Sequence, residues 1–348
     1  MGNVIKLVKN KYKDEEPIQK LLSLIENDFV RVNNLINEQV ISQVDRIPDV
    51  SKHIIELGGK RLRPILTLTT SKICEYKGSM HVKLAAAVEL MHTATLLHDD
   101  VVDDSNFRRG KSASHIVWDN KSSILVGDFL LGKAFQLMVE TKSLECLKNL
   151  SNASAKIAEG EVMQLIASDN IKTTEDQYMH IIEAKTAELF STACVVSALI
   201  TESKEEEINA LISFGKNLGI AFQLKDDALD YSGDESILGK NIGDDFFEGK
   251  VTLPIILAYR RGNVSEREFL ENSFNNKIRN KDLLKKAIKI INQYNTINDT
   301  LSKAKQHGRV AKDALAIFPE TEFKAALMKL VDFSITVSYT HLTLPTKA

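Results

Sequence analysis

The sequence predicts an all-α fold, one domain of roughly ten or more helices packed as a bundle. Apolar residues recur at three- and four-residue intervals through most of the chain, and no run keeps the alternation of a strand bounded by hairpin turns. Only 6 prolines and 16 glycines interrupt the 348 residues. Several periodic segments are apolar around most of their circumference, "AAAVELMHTATLL" above all, which suits a helix inside a bundle better than one on its surface.

The first strongly periodic segment, "HVKLAAAVELMHTATLLHDDVVDD" (81–104), ends in a run of aspartates. "SILVGDFLLGKAFQLMVE" (123–140) and "SLECLKNLSNASAKIAEGEVMQLIA" (143–167) continue the helical spacing. "TEDQYMHIIEAKTAELFSTACVVSALI" (174–200) is expected as one further helix. "EEEINALISFGKNLGIAFQLKDDALDY" (205–231) again ends in aspartates. "KDLLKKAIKIINQYNTINDTLSKAKQHGRVAKDALAIF" (281–318) and "TEFKAALMKLVDFSI" (321–335) complete the pattern. No linker or tandem repeat divides these segments, so residues 1–335 are expected to form one helical domain. The last dozen residues, "VSYTHLTLPTKA", lose the periodicity, and residues 336–348 are expected to be a non-native or disordered tail.

Bulk properties remove several classes of function. A composition of 43% apolar and 26% charged residues is that of a globular protein. A net charge of -2 provides no basic surplus for nucleic acid, so no nucleic-acid partner is expected. Cys74, Cys146 and Cys194 are far apart and form no CxxC pair, which suits a reduced cytosol rather than a disulfide framework or a zinc site. The opening residues lack the apolar core of a signal peptide, and no stretch offers the roughly 18 to 20 uncharged apolar residues of a membrane span. A soluble cytoplasmic protein without a transmembrane segment is the expectation.

The aspartate runs carry the chemistry. Asp99 and Asp103 stand four apart, on one face of a helix, with Asp100 and Asp104 beside them. Like charges at that spacing repel, and burial raises the cost, so a cation is expected among them. Asp226, Asp227 and Asp230 repeat the pattern on a second apolar helix. An isolated Asp-Asp pair is ordinarily a helix cap or a solvated end. Two matched sets on apolar helices instead suit Mg²⁺ with substrate phosphates completing its coordination. The clusters lack the loop spacing of an EF-hand, and no His-x-x-x-His or cysteine cluster offers a zinc site.

Three basic groups complement them: Lys60, Arg61 and Arg63 in "ELGGKRLRP", the pair Arg108 and Arg109, and Lys240 with Lys250 in "GKNIGDDFFEGKVTLP". Guanidinium forks and ammonium charges both suit phosphate oxygens, although the spacing in "GGKRLRP" is not that of a Walker loop. Acidic helices for metal and basic loops for anions together describe a diphosphate-handling cavity in a helical bundle.

"LLHDDVVDDSNFRRG" and "FQLKDDALDY" resemble the two aspartate-rich motifs of the trans-type polyprenyl diphosphate synthases, in particular their long-chain bacterial branch. "GGKRLRP", "HTATLLHDD", "VGDFLL", "AEGEVMQL", "AKTAELF" and "GKNIGDDFFEGKVTLP" follow in the family's order, over roughly residues 20 to 333. The resemblance implies the isoprenoid synthase fold, usually homodimeric, and a requirement for Mg²⁺. It implies that Lys60, Arg63, His92 and Arg109 hold the diphosphate of isopentenyl diphosphate. Asp99, Asp103 and Asp226 would bind Mg²⁺, with Asp100, Asp227 and Asp230 beside them. Arg108, Lys185, Thr186, Gln223 and Lys240 would contact the allylic diphosphate, and Lys250 would add positive charge. His98 is expected to be a hydrogen-bonded core histidine.

The implied reaction is head-to-tail condensation of isopentenyl diphosphate onto an allylic diphosphate such as farnesyl diphosphate. Ala94 and Thr95, one turn before Asp99, are small where short-chain relatives tend to carry aromatics, which favours a long product near octaprenyl for quinone side chains. A shorter farnesyl or geranylgeranyl product, or a non-catalytic subunit of a heteromeric synthase, are the alternatives; both complete aspartate sets weigh against the latter. Head-to-head synthases and terpene cyclases need no second basic pocket. Release of a waxy product is expected to involve transient membrane contact.

Overall fold

The computed structural model describes residues 16–232, 242–276 and 279–336. Five helices open the described chain: α1 (Glu16–Leu24), α2 (Glu26–Gln39), α3 (Arg46–Glu56), α4 (Leu62–Ile73) and α5 (Met80–Val102). After a two-stranded hairpin come α6 (Asn120–Glu140), α7 (Leu144–Ala167), α8 (Glu175–Ile182), α9 (Glu188–Thr201) and α10 (Glu205–Asp230). The last five are α11 (Leu253–Arg261), α12 (Val264–Asn275), α13 (Lys281–Gln293), α14 (Thr296–Ala314) and α15 (Glu322–Ile335). Single turns of helix at Ser114–Val117 and Asp244–Glu248 join longer elements.

The two aspartate-tipped helices are the central ones, as their all-round apolarity predicts. On α5 every side chain from Leu84 to Val88 is fully buried. It packs chiefly against α6, while α10 packs against α14 and α9. Two apolar cores result. The larger joins α1 to α7, α9, the first half of α10 and α15, and the smaller joins the second half of α10 to α8, α11, α13 and α14. The acidic end of α10 therefore emerges beside the smaller core, and that of α5 from the larger. Between α4 and α9 the packing is polar but closed: Thr70 and Ser71 hydroxyls each lie 2.9 Å from the Ser197 hydroxyl, and Thr67 Oγ1 donates to the Ala193 carbonyl at 2.7 Å. Satisfied in this way, buried hydroxyls lock one helix register.

Three features depart from unbroken helices. Phe107–Arg108 and Lys111–Ser112 pair as an antiparallel hairpin, turned at Arg109 and Gly110, both with left-handed backbones (φ 52° and 77°). Two successive positive φ values are the signature of a type I′ turn, which matches strand twist. The expected helix over 174–200 contains a π-helical turn at Glu183–Ala187. Here α7 approaches so closely that a Cβ on Gly160 would lie 2.6 Å from the Lys185 backbone nitrogen. The expected helix over 281–318 breaks at Asn295, whose left-handed φ of 55° separates α13 from α14. Asparagine tolerates that conformation better than most residues.

Two helical stretches, Asn120–Glu140 and Glu175–Thr201, are long and apolar enough by composition to cross a membrane. The sequence alone, read for uncharged runs, does not single them out, because the first carries Asp128 and Lys133 in its middle. In the fold 39% and 61% of their apolar windows are buried inside the protein, and the second forms part of the main core. Thr336 leaves α15 in an extended conformation, and residues 337–348 of the expected tail lie outside the described residues.

Asp28 clamps α2 to α4 and α5. Its carboxylate lies 2.7 Å from Lys72 Nζ and 3.0 Å from His81 Nε2, and accepts from Arg31 at 2.9 Å. Burial alone would raise its pKa, but Lys72 and His81 hold it down to about 2. A depressed carboxylate stabilises the fold above its ordinary value and loses that contribution as pH falls through its folded value. Asp28→Ala should therefore cost about 1–3 kcal/mol in urea unfolding at pH 7. The gap to wild type should close as pH falls from about 4 towards 2; a gap that persists there would refute the clamp.

Candidate active site

The last turn of α5 distributes its four aspartates rather than stacking them. Asp100 is 1% exposed, and Oδ1 receives both Nε and a terminal nitrogen of Arg108 at 2.6 Å. Its other oxygen is buried without a hydrogen-bond partner. Asp103 caps the helix and accepts from Lys250 Nζ at 2.9 Å, while the same ammonium reaches Glu248 at 2.6 Å. Asp104 adopts a left-handed backbone (φ 50°), and its side chain is 96% exposed, so it leaves the cavity altogether. The hairpin then separates the arginine pair. Arg108 returns to Asp100, whereas the Arg109 guanidinium packs on Gly59, where a Cβ would stand 2.7 Å away.

The end of α10 supplies the second set. Asp226 is exposed and Asp227 is buried, while Asp230 accepts from the Asp245 backbone N–H at 3.3 Å. The Asp227 carboxylate is held on both sides, by the Tyr178 hydroxyl at 2.5 Å and by Gln223 Nε2 at 2.7 Å. Gln223 Oε1 in turn accepts from the Thr186 hydroxyl at 2.9 Å. Thr186 and Lys185 sit on the π-helical turn, and Lys185 Nζ donates to Glu161 on α7 at 2.7 Å. Such single π turns recur at functional sites because they displace a side chain that a regular helix would point elsewhere.

These residues surround two cavities that share a wall. The first, about 420 Å³, is lined by Asp103, Asp226, Asp227, Asp230, Asp245 and Lys250 among others. The second, about 690 Å³, is lined by Lys60, Arg61, Arg63, His92, Asp99 and Glu89 among others. Arg108, Arg109, Lys185, Thr186, Gln223 and Asp226 border both. One chamber thus has an acidic end and a basic end. In the basic end the Arg63 guanidinium lies over the Phe190 ring at 4.6 Å and Lys60 Nζ over the Phe333 ring at 4.8 Å. Burial lowers Arg63 only to about 10, so it stays charged. Burial, followed by the charges of Arg63, Arg109 and Arg108, holds the His92 imidazole well below its ordinary value and therefore neutral at pH 7.

The polyprenyl synthetase family model matches residues 44–291. The chain belongs to the polyprenyl synthetase family. It is similar to the octaprenyl diphosphate synthase of Haemophilus influenzae, 37% identical over 329 residues that cover 94% of this chain and 100% of the relative. With the geranyl-diphosphate-specific all-trans-nonaprenyl-diphosphate synthase of Rhodobacter capsulatus it shares 40% identity over 91% of this chain and 97% of that one. The polyprenyl synthase of Caulobacter crescentus CB15, crystallised with calcium and isoprenyl diphosphate, superposes with a TM-score of 0.88 at 45% identity, covering 91% of this chain and 97% of that one.

In this polyprenyl synthetase, Asp99, Asp103 and Asp226 border the chamber, as do Lys60, Arg63, His92, Arg108, Arg109, Lys185, Thr186 and Gln223. Lys240 lies outside the described residues. Thr95 lines the basic cavity, while Ala94 is 1% exposed within the larger core. His98 donates to the Ile124 carbonyl at 3.1 Å, but its side chain is 32% exposed, so it is hydrogen-bonded without being the core histidine expected. Several lining residues carry no role in the sequence reading: Tyr178, Glu161, Glu89, Lys225, Asp245 and Phe333. Asp245 and Glu161 fall inside the quoted stretches "GKNIGDDFFEGKVTLP" and "AEGEVMQL", so a charge within a motif was the available signal. Lys225 likewise falls inside "FQLKDDALDY", whereas Tyr178, Glu89 and Phe333 lie on ordinary helical stretches and give no local sign.

Among the described residues no three His, Cys, Asp or Glu side chains stand close enough to share a metal ion. The donor chemistry nevertheless fits a hard divalent cation, since several carboxylates and neither a histidine nor a cysteine line the acidic end. Burial pushes Asp99 and Asp230 each up to about 7 and Asp227 to about 6, and it drives Asp245 well above the ordinary range. Neighbouring carboxylates add to each shift. A carboxyl whose folded pKa is raised contributes stability at low pH and loses it as pH rises through the folded value. The melting temperature of metal-free protein should therefore fall between pH 5.5 and 8. Added Mg²⁺ with inorganic diphosphate should raise it more at pH 8 than at pH 6, because the cation replaces protons. Equal shifts at the two pH values would refute the proton–cation exchange.

Proposed function

We propose that this polyprenyl synthetase is a long-chain trans-polyprenyl diphosphate synthase, which condenses isopentenyl diphosphate head to tail onto an allylic diphosphate such as farnesyl diphosphate. The observation that carries this reading is the single chamber with an acidic and a basic end, joined along Arg108, Lys185, Thr186 and Gln223. Two diphosphates fit that division, one beside Asp103 and Asp226 and one among Lys60, Arg61 and Arg63, with Asp99 on the basic side and Asp226 on the shared wall.

Asp99, Asp103 and Asp226 would hold Mg²⁺, which when bound supplies neutralising charge for a departing diphosphate. Arg108, Lys185, Thr186 and Gln223 bind and orient the allylic diphosphate from the shared wall, with Lys240 as a further contact. Asp100 holds Arg108 in place through its ion pair. Lys60, Arg63, His92 and Arg109 hold isopentenyl diphosphate in the basic end, so that its double bond lies beside the allylic carbon. Neutral His92 donates a hydrogen bond without adding charge. Phe190 and Phe222 line the basic cavity and exclude water from a developing cation. No side chain there is an evident general base, and the released diphosphate is the proton acceptor this reading requires.

Product length follows from the small residues Ala94 and Thr95, which leave room beneath the first aspartate set, and octaprenyl is the expected product, destined for quinone side chains. The similarity to octaprenyl and nonaprenyl synthases supports that size. We further propose a cytoplasmic homodimer of one helical domain spanning residues 1–335. Exposed apolar side chains on α6 and α7, among them Leu125, Val139, Val162 and Ile166, are the surface that supports pairing. Product release would bring the enzyme briefly to a membrane.

Purified protein incubated with Mg²⁺, isopentenyl diphosphate and farnesyl diphosphate should give products near octaprenyl length on chromatography. Asp103→Ala should reduce turnover by about 100-fold or more while leaving the circular dichroism spectrum unchanged; wild-type-like turnover would sink the assigned roles. Ala94→Phe should shorten the products, and unchanged lengths would move the floor of the tunnel elsewhere.

A further inference from the structure

Tyr178 meets the site residues assigned above through Asp227, to which its phenol is hydrogen-bonded. It is 3% exposed, packs in the smaller core and also lines the acidic cavity. Thr174 starts α8 with a capping box closed by Gln177, so the helix that carries Tyr178 begins at a defined point. The hydroxyl donates to Asp227 Oδ2 at 2.5 Å, and Oδ1 accepts from Gln223 Nε2 at 2.7 Å. An ionised carboxylate only accepts, so the amide must turn its NH₂ towards Asp227 and its oxygen towards Thr186. That oxygen accepts from the Thr186 hydroxyl at 2.9 Å. The donors converge from three elements, α8, the π-helical turn and α10, and while Asp227 is ionised every hydrogen bond has only one permitted direction.

We propose that Tyr178 is a positioning residue for prenyl transfer: its phenol, acting through Asp227, sets the orientation of Gln223 and so the polar face that Gln223 and Thr186 turn to the allylic diphosphate. This rests on the elongation reading above. Without the phenol, Asp227 Oδ2 would be buried with no donor, and the carboxylate would be free to rotate towards the nearest cation. Gln223 would lose its fixed amide direction with it. The effect should fall on the allylic side of the chamber, because Lys60, Arg63 and His92 line the opposite end.

The test is a double-mutant cycle with Tyr178→Phe, Asp227→Asn and the double variant, assayed with farnesyl diphosphate, isopentenyl diphosphate and Mg²⁺. Tyr178→Phe should lower kcat about 10-fold and raise KM for farnesyl diphosphate, with KM for isopentenyl diphosphate held within about 2-fold. In the Asp227→Asn background the same change should cost less than about 2-fold more, since it acts through Asp227. Unchanged kcat, multiplicative losses or an equal rise in both KM values would overturn the proposal. A crystal structure of the wild-type protein with Mg²⁺ and inorganic diphosphate decides it independently of how the variants fold. A retained Tyr178–Asp227 contact supports the proposal, and an Asp227 that has left Tyr178 to ligate the metal refutes it. A wild-type enzyme that fails to elongate would refute the elongation reading, while the crystal structure would still judge the hydrogen-bond chain.

Discussion

Carboxylates crowded where water is scarce must either keep protons or find cations, and that rule organises this molecule. Asp100, with Oδ1 on Arg108 and Oδ2 unpartnered, sits at one limit, and Asp103, reached by Lys250 from a distant segment, at another. Burial pushes Asp99 and Asp230 up to about 7, so both are partly protonated near neutrality, while Asp227, raised only to about 6, is mostly ionised there; Asp245 is driven up by burial and by its carboxylate neighbours. The acidic end is thus built for a charge that arrives from outside.

Helix packing exists to sustain that crowding. Both aspartate-tipped helices run through apolar cores, which fixes where their ends stop and keeps solvent from diluting the charges. The basic end draws on different elements: α4 begins at Arg61 in a left-handed backbone, and the hairpin turn aims Arg109 at Gly59. Opposite charges therefore come from opposite sides of the chamber, and the π-helical turn contributes Lys185 and Thr186 at the seam.

Much of this was legible in the sequence because it is local. Heptad-like spacing revealed the helices, and the i, i+4 aspartates on apolar segments revealed the acid sets. What stayed hidden depends on tertiary approach. Spacing alone leaves Asp103 and Asp104 equivalent, and only the motif resemblance separates them; in the fold Asp103 faces the chamber, while Asp104, with its left-handed backbone, points into solvent. The π turn arises from the contact of α7 at Gly160, which no window around Lys185 contains. Tyr178 reads as a core aromatic, since its partner lies 49 residues away. The break at Asn295 did carry a sign, an asparagine suited to a left-handed backbone, inside an otherwise unbroken period.

The wall shared by the two cavities has a consequence for a synthase that adds many units. After each addition the lengthened chain carries its diphosphate at the basic end, whereas the next round needs it at the acidic end. Arg108, Lys185, Thr186 and Gln223 touch both places, so they form a bridge along which a diphosphate can be passed without entering bulk water. A partition of this kind turns a two-substrate site into a shuttle, and the number of rounds completed becomes a contest between crossing that bridge and letting the product go.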